Sequence, residues 1–161
     1  MQTRTRRLRP MRSLVIVLLM AVSALLPLTP AHAAYGTPIP VSMAVYGGWN
    51  GTQLLARVDG TIQFDDANQK YQYHLSLCRV SSFVGPNVRV LVNNVYKSTL
   101  YWNGGSPTAQ CPASYIATAH SAEVDNGSTV HNVTLTLVGS DFNANVFRER
   151  TETWTYDNPF N

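Results

Sequence analysis

Charged side chains are scarce in this 161-residue chain. They make up 13% of the residues, whereas 45% are apolar, and this balance argues against an intrinsically disordered protein. The basic residues are unevenly placed, because five of the twelve lie within residues 1–12, where there is no acidic residue. From Ala34 onward there are seven basic and nine acidic residues. The overall charge of +3 therefore does not indicate a nucleic-acid partner or an anionic membrane.

Cysteine is also rare, since the chain contains only Cys78 and Cys111. There is no Cys-x-x-Cys motif, and one Cys/His pair supplies too few ligands for zinc. An even number of cysteines is typical of a disulfide framework when a chain is exported, and the N-terminal segment described next predicts export. We therefore predict a Cys78–Cys111 disulfide, worth roughly 3–4 kcal/mol in the chain-entropy model. No metal and no cofactor are expected.

Long apolar runs are lacking as well. The longest covers residues 14–28 and is shorter than the roughly 20 residues that a transmembrane helix needs. It follows the basic residues of the N-terminus and precedes Ala31-His32-Ala33, which has the small-x-small pattern of a cleavage site. We predict a cleavable secretory signal peptide over residues 1–33 and one domain over residues 34–161. The expected product is a secreted, extracellular bacterial protein with no membrane contact after cleavage.

Some details of the export segment stay open. Arg6-Arg7 fits the start of a twin-arginine signal, so this route is an alternative to the general secretory one. Translation could start at Met1 or at Met11, and an uncleaved anchor is a further alternative. Residues 34–39 are expected to form a loose mature N-terminus.

Helical periodicity of useful length is absent, whereas alternation with a period of two recurs from residue 40 onward. One predicted strand places these apolar side chains on a single face: Ala56, Val58, Ile62 and Phe64. About eight such strands with short turns between them predict an all-β fold, an antiparallel β-sandwich. A small eight-stranded up-and-down barrel is the alternative.

Turn residues separate the predicted strands. Asn93-Asn94 suits a tight hairpin, because asparagine tolerates a positive φ. Gly139-Ser140-Asp141 is predicted to turn the chain before a last strand that begins at Asn145.

The residues needed for hydrolysis are present without a recognisable arrangement. There is no Gly-x-Ser-x-Gly motif, and most carboxylates lie in predicted turns or between basic residues. His74 is expected on the solvent face of its strand, and His131 is expected to be half-buried on the face of Val133. A small secreted hydrolase that uses His74 or His131 is an alternative, but the sequence favours a protein without catalytic activity.

The sequence Trp-Asn-Gly occurs twice, each time in a predicted turn near a tyrosine. A flat ring beside an amide suits a sugar, so we predict a ligand-binding site from these residues: Trp49, Asn50, Tyr101, Trp102 and Asn103. The alternative is structural, with each tryptophan closing one end of a sandwich and Asn-Gly forming the turn.

These patterns favour a secreted non-catalytic binding domain with a carbohydrate or protein ligand. Two further alternatives remain: a protease inhibitor whose loop over residues 103–112 is exposed, and a barrel that holds an apolar small molecule. Gly47-Gly48-Trp49 resembles the Gly-x-Trp of lipocalin- and avidin-like barrels, and the similarity covers these three residues and the strand count. That resemblance implies the hairpin-linked barrel, although the tryptophan-lined pocket of the avidins has no identifiable counterpart.

Overall fold

The computed structural model describes residues 34–104 and 116–161, and these residues form two antiparallel sheets of four strands each. The strands are β1 (Ile39–Gly47), β2 (Gln53–Phe64), β3 (Lys70–Arg79), β4 (Asn87–Val92), β5 (Val95–Tyr101), β6 (Ile116–Asp125), β7 (Asn132–Asn143) and β8 (Val146–Asp157). Across the described ranges, no helix could cross a membrane. The all-β, antiparallel prediction is confirmed.

The sheets have the strand orders β1-β2-β3-β6 and β5-β4-β7-β8. Strand β3 pairs with β6, and β4 pairs with β7, so the chain passes from one sheet to the other three times, after β3, after β5 and after β6. An up-and-down barrel would pair strands that follow one another in sequence. The observed order therefore differs from the barrel alternative and is consistent with a sandwich-like arrangement.

The core lies between the inner faces of the two sheets. Alternation along the strands places the predicted apolar face of β2 there, because successive side chains of a strand point to opposite faces. From the first sheet the fully buried side chains include Leu55, Val58, Ile62, Phe64 and Leu77, and from the second Val88, Val90, Val133, Leu135 and Leu137.

The predicted turn at Gly139-Ser140-Asp141 is wrong, because β7 continues through these residues to Asn143. Gly139 lies where the sheets approach closely, and a Cβ there would be 2.8 Å from Val45 Cγ1. Ser140 and Asp141 are buried with hydrogen-bond partners. These residues usually favour turns, but here they serve close packing and polar contacts within a strand.

Two smaller expectations also fail. His131 is exposed and precedes β7 instead of sharing the buried face of Val133. The segment expected to be loose, residues 34–39, is fixed near its start, because Tyr35 forms a β-bridge with Asp65, and Gly36 N–H donates to the Phe64 carbonyl at 2.9 Å.

The predicted tight turn at Asn93-Asn94 is confirmed, since these residues have φ values of 50° and 65°.

The two ends of the sheets differ in character. We call one the polar end; it contains the turns over residues 65–69 and 93–94, residues 126–131 and the C-terminal residues 158–161. Asparagine side chains fasten these segments together: Asn158 Nδ2 donates to Asn68 Oδ1 at 2.9 Å and contacts the Val130 carbonyl at 2.8 Å. At the opposite end are the turn over residues 48–52, the loop over residues 80–86 and the turn between β7 and β8. Antiparallel pairing brings these three segments to one end, which we call the aromatic end.

Candidate functional site

Three phenylalanines pack together at the aromatic end, and we call them the phenylalanine cluster: Phe83, Phe142 and Phe147. Phe142 and Phe147 face each other across the β7–β8 hairpin. The rings of Phe83 and Phe142 lie 4.5 Å apart at 84°, and those of Phe142 and Phe147 lie 5.7 Å apart at 67°. All three side chains are also exposed to solvent, as are Val84 and Val146 beside them.

The loop that carries Phe83 is fixed to β7 by hydrogen bonds. Phe83 N–H donates to the Ser140 carbonyl at 2.9 Å, and Val84 N–H donates to Ser140 Oγ at 2.9 Å. Ser82 Oγ accepts the Ser140 N–H at 3.0 Å and donates to the Val84 carbonyl at 2.6 Å. The loop is therefore held in place before any ligand binds.

Arg79 strengthens the same loop from the end of β3. Its Nε donates to the Ser82 carbonyl at 2.9 Å, and its Nη2 donates to the Phe83 carbonyl at 2.8 Å. The guanidinium also lies over the ring of Trp102, 5.1 Å from the centroid. One cation thus joins the loop to the end of β5.

Trp49 lies in the turn between β1 and β2 at the same end. It is 83% exposed, the highest value among the exposed large apolar residues of the described ranges, and Asn50 beside it is exposed as well.

The turn that carries Trp49 is anchored through Asp141, whose Oδ2 accepts the Gly48 N–H at 2.5 Å. Arg150 Nε lies 3.6 Å from the other carboxylate oxygen of this buried aspartate. Asp141 is next to Phe142, so one strand supports both the turn and the phenylalanine cluster.

A small depression of about 60 Å³ lies beside the cluster. Its lining is mixed, with Phe147 and Val84 next to the polar side chains of Ser140, Asn87 and Glu149. This volume is far below the several hundred Å³ typical of a small-molecule pocket. This depression is therefore too small to enclose a small molecule, and the described residues around it present a surface for contact.

The second Trp-Asn-Gly sequence is placed differently from the first. The Trp102 side chain is half-buried and packs against the core, and the backbone N–H of Trp102 donates to the Pro86 carbonyl at 3.0 Å. Asn103 is tied to β6 through Thr118, whose hydroxyl donates to Asn103 Oδ1 at 3.0 Å. Tyr101 is exposed at the end of β5. These contacts give Trp102 and Asn103 a structural role.

The predicted site residues do not come together as one group. Trp49 and Asn50 follow β1, an edge strand that contacts β7 and β8. Tyr101 is the last residue of β5, and Trp102 and Asn103 follow it. Strand β5 is an edge strand of the second sheet, and Asn103 contacts β6. The two turns thus share an end of the molecule but lie at opposite edges.

The histidines of the hydrolase alternative are also separated. His74 lies on the exposed face of the first sheet, where Nδ1 is 2.9 Å from Ser121 Oγ. His131 lies next to the start of β7 in the second sheet, at the polar end. Across residues 34–104 and 116–161, no group of three His, Cys, Asp or Glu residues could hold a metal ion.

A third histidine, His120, is half-buried on β6 opposite Leu75. Burial lowers the pKa of His120 below its ordinary value, and a hydrogen bond to the Tyr101 backbone opposes this effect. The neutral imidazole is therefore favoured, as expected for a packed side chain.

The phenylalanine cluster is the feature that sequence analysis missed. Phe142 and Phe147 flank Asn143-Ala144-Asn145-Val146, in which a tight turn between paired strands could have been recognised. No local pattern indicates that Phe83, about sixty residues earlier, packs against them.

Of the two cysteines, only Cys78 lies within the described residues. It sits on the outer face of the first sheet opposite Ala117, and both are buried. Cys111, the other half of the predicted disulfide, lies outside the described residues, as do most of residues 103–112 of the inhibitor alternative and the predicted signal peptide over residues 1–33.

Known proteins offer no guide to this surface. No family model matches the chain, and neither the curated proteins nor the solved structures contain a match. The function is consequently inferred from the geometry of the aromatic end.

Proposed function

We propose that the chain is a secreted, non-catalytic binding domain whose aromatic end binds an extracellular protein partner. In this proposal residues 1–33 are the cleaved signal peptide, residues 34–161 form a single sandwich domain, and Cys78 and Cys111 form its disulfide. The observation that carries the proposal is the phenylalanine cluster, which stays exposed on segments already fixed by hydrogen bonds. Exposed, contiguous apolar side chains typically mark interaction surfaces.

The geometry of the rings favours a protein over a sugar. Phenylalanine has no hydrogen-bonding group, and the rings meet edge to face, so they form no flat platform on which a sugar ring could stack. Aromatic anchors in rigid surroundings are typical of protein interfaces, and a loop that is already ordered loses little entropy on binding.

Carbohydrate is the second candidate ligand, and Trp49 favours it. This ring is 83% exposed, and the Asn50 amide next to it could bind a hydroxyl group. Trp102 is packed against the core. Of the two Trp-Asn-Gly tryptophans, only Trp49 is therefore available to stack on a sugar.

Displayed random peptides are the probe for the main proposal. Peptides selected on the immobilised mature protein are labelled, and their affinity is measured by fluorescence anisotropy for wild type, Phe142→Ser and Phe83→Ser. We expect each substitution to weaken binding at least about tenfold, because a buried aromatic anchor typically contributes 2 kcal/mol or more. Tyr96→Ser is the matched control, since it removes an exposed aromatic ring near the polar end.

Circular dichroism and thermal unfolding establish that each variant is folded. Equal peptide affinity for wild type and both phenylalanine variants would overturn the proposal. A glycan array with Trp49→Ala and Trp102→Ala tests the second candidate, and glycan binding lost in Trp49→Ala with peptide binding unaffected by Phe142→Ser would favour it.

A further inference from the structure

Ala34 is bound through both of its backbone groups at the polar end. Its N–H donates to Asp66 Oδ1 at 3.0 Å, and its carbonyl accepts the Asp66 N–H at 3.0 Å. The following residues continue the pairing, with Tyr35 bridged to Asp65. Residues 34–36 therefore extend the contact between β1 and β2 beyond the end of the ladder.

The carboxylate contact has a particular meaning at this position. The small-x-small pattern Ala31-His32-Ala33 places the predicted cleavage immediately before Ala34. Hydrolysis by a signal peptidase adds water across the Ala33–Ala34 bond, which leaves a carboxylate on Ala33 and an ammonium group on Ala34. The atom that Asp66 contacts at 3.0 Å would then carry a positive charge.

We propose that Asp66 is the binding site for the ammonium group of Ala34, so that cleavage after Ala33 creates an ion pair which fastens the mature N-terminus to the turn after β2. Before cleavage the same nitrogen is a neutral amide, which carboxylates bind less strongly than a cation. The ion pair is thus specific to the processed chain.

The surroundings are suited to a cation. Asp65 is buried, and its Oδ1 accepts the N–H groups of Gln69 and Lys70 at 2.9 and 2.7 Å. Burial, the largest effect, raises the pKa of Tyr35 to about 12, and the negative charges of Glu123, Asp65 and Asp125 act in the same direction. Lys70 is the cation in this group, and it pairs with Glu123 at 3.2 Å.

The test begins with the full chain expressed in a secreting bacterium. Intact mass and N-terminal sequencing of the protein from the medium should give Ala34 as the first residue. The α-amino group is then titrated by NMR of methyl-labelled alanine in mature wild type, Asp66→Asn and Asp157→Asn. Asp157→Asn is the charge-matched control, because it removes an exposed carboxylate from the same end.

The expected result is an α-amino pKa in wild type above the ordinary range of about 7.7–8.0, and roughly half a unit lower in Asp66→Asn. Asp157→Asn should resemble wild type, and the difference should shrink in about 1 M salt because the pair is exposed. A mature chain that begins at another residue would overturn the inference. Equal α-amino pKa values in wild type and Asp66→Asn would overturn it as well.

Discussion

Single residues at the aromatic end show how neighbouring side chains can take opposite roles. Asp141 is buried and holds the turn before Trp49, whereas the adjacent Phe142 is exposed and contacts two other rings. A buried carboxylate needs hydrogen bonds and a nearby cation to offset its lost hydration. The Gly48 N–H and Arg150 supply them here. Asp141 therefore belongs to the support of the surface and Phe142 to the surface itself.

His120 should make the stability of the protein depend on pH. Since burial lowers its pKa in the folded state, the unfolded chain takes up this proton first as the pH falls. The stability that neutral His120 contributes is fully present above its pKa of about 6.5 in the unfolded chain. This stability is lost as the pH falls through the lower pKa of His120 in the folded state. Urea unfolding between pH 7.5 and pH 5 measures the loss, which should be smaller in His120→Gln.

His74→Gln is the control for this measurement, because His74 is exposed on the other face of the same sheet. A pH dependence that is unchanged by His120→Gln, or that is removed by His74→Gln, would contradict the assignment to His120.

At the scale of secondary-structure elements, two hairpins use the same kind of turn with different residues. The β4–β5 turn places asparagine at both positions of positive φ, Asn93 and Asn94. The β7–β8 turn places Ala144 and Asn145 there, with φ values of 50° and 64°. Alanine has no polar side chain that compensates for this conformation, so the second turn carries strain that the first does not.

Replacing Ala144 with glycine should relieve that strain. We expect Ala144→Gly to raise the free energy of unfolding by about 0.5–1 kcal/mol, after allowing for the greater entropy of glycine in the unfolded chain. Urea unfolding measures the change. Asn94→Gly is the matched control and should change stability by only a few tenths of a kcal/mol, since asparagine already tolerates a positive φ. A lower free energy of unfolding in Ala144→Gly would contradict the presence of strain at Ala144.

At the scale of the whole molecule, the two ends of the sheets differ in what they carry. Ala34 and Asn158 are both held at the polar end, where asparagine and aspartate side chains bind backbone groups. The aromatic end carries the phenylalanine cluster and Trp49 on segments remote from both of these residues in the sheets. A partner can therefore contact the aromatic end without displacing Ala34 or Asn158.

The predicted disulfide acts on the whole chain, because it would restrict the unfolded state. Replacing both Cys78 and Cys111 with alanine should lower the free energy of unfolding by roughly 3–4 kcal/mol. Thermal and urea unfolding of the purified protein measure this loss. Intact mass after alkylation without reductant provides the control, and modification of both cysteines under denaturing conditions would contradict the disulfide.

Much of the fold could be predicted from local patterns. The buried face of β2 and the turn at Asn93 follow from alternation and turn chemistry, which depend on residues close in sequence. The end of β7 could not be predicted, because Gly139 and Asp141 are turn formers that the structure uses for packing and buried contacts. In the candidate site, Trp49 was identified from its motif, whereas Phe83 was not.

By itself the sequence determined that this protein is built from antiparallel strands, because apolar alternation and turn residues act over a few neighbouring positions. Only the tertiary structure decided that Phe83 meets Phe142 and that Trp102 packs inward while Trp49 points into solvent. Those outcomes depend on strand order and register, which bring together residues far apart in the chain. The same Trp-Asn-Gly sequence consequently lies at two edges of one end, with different surroundings at each.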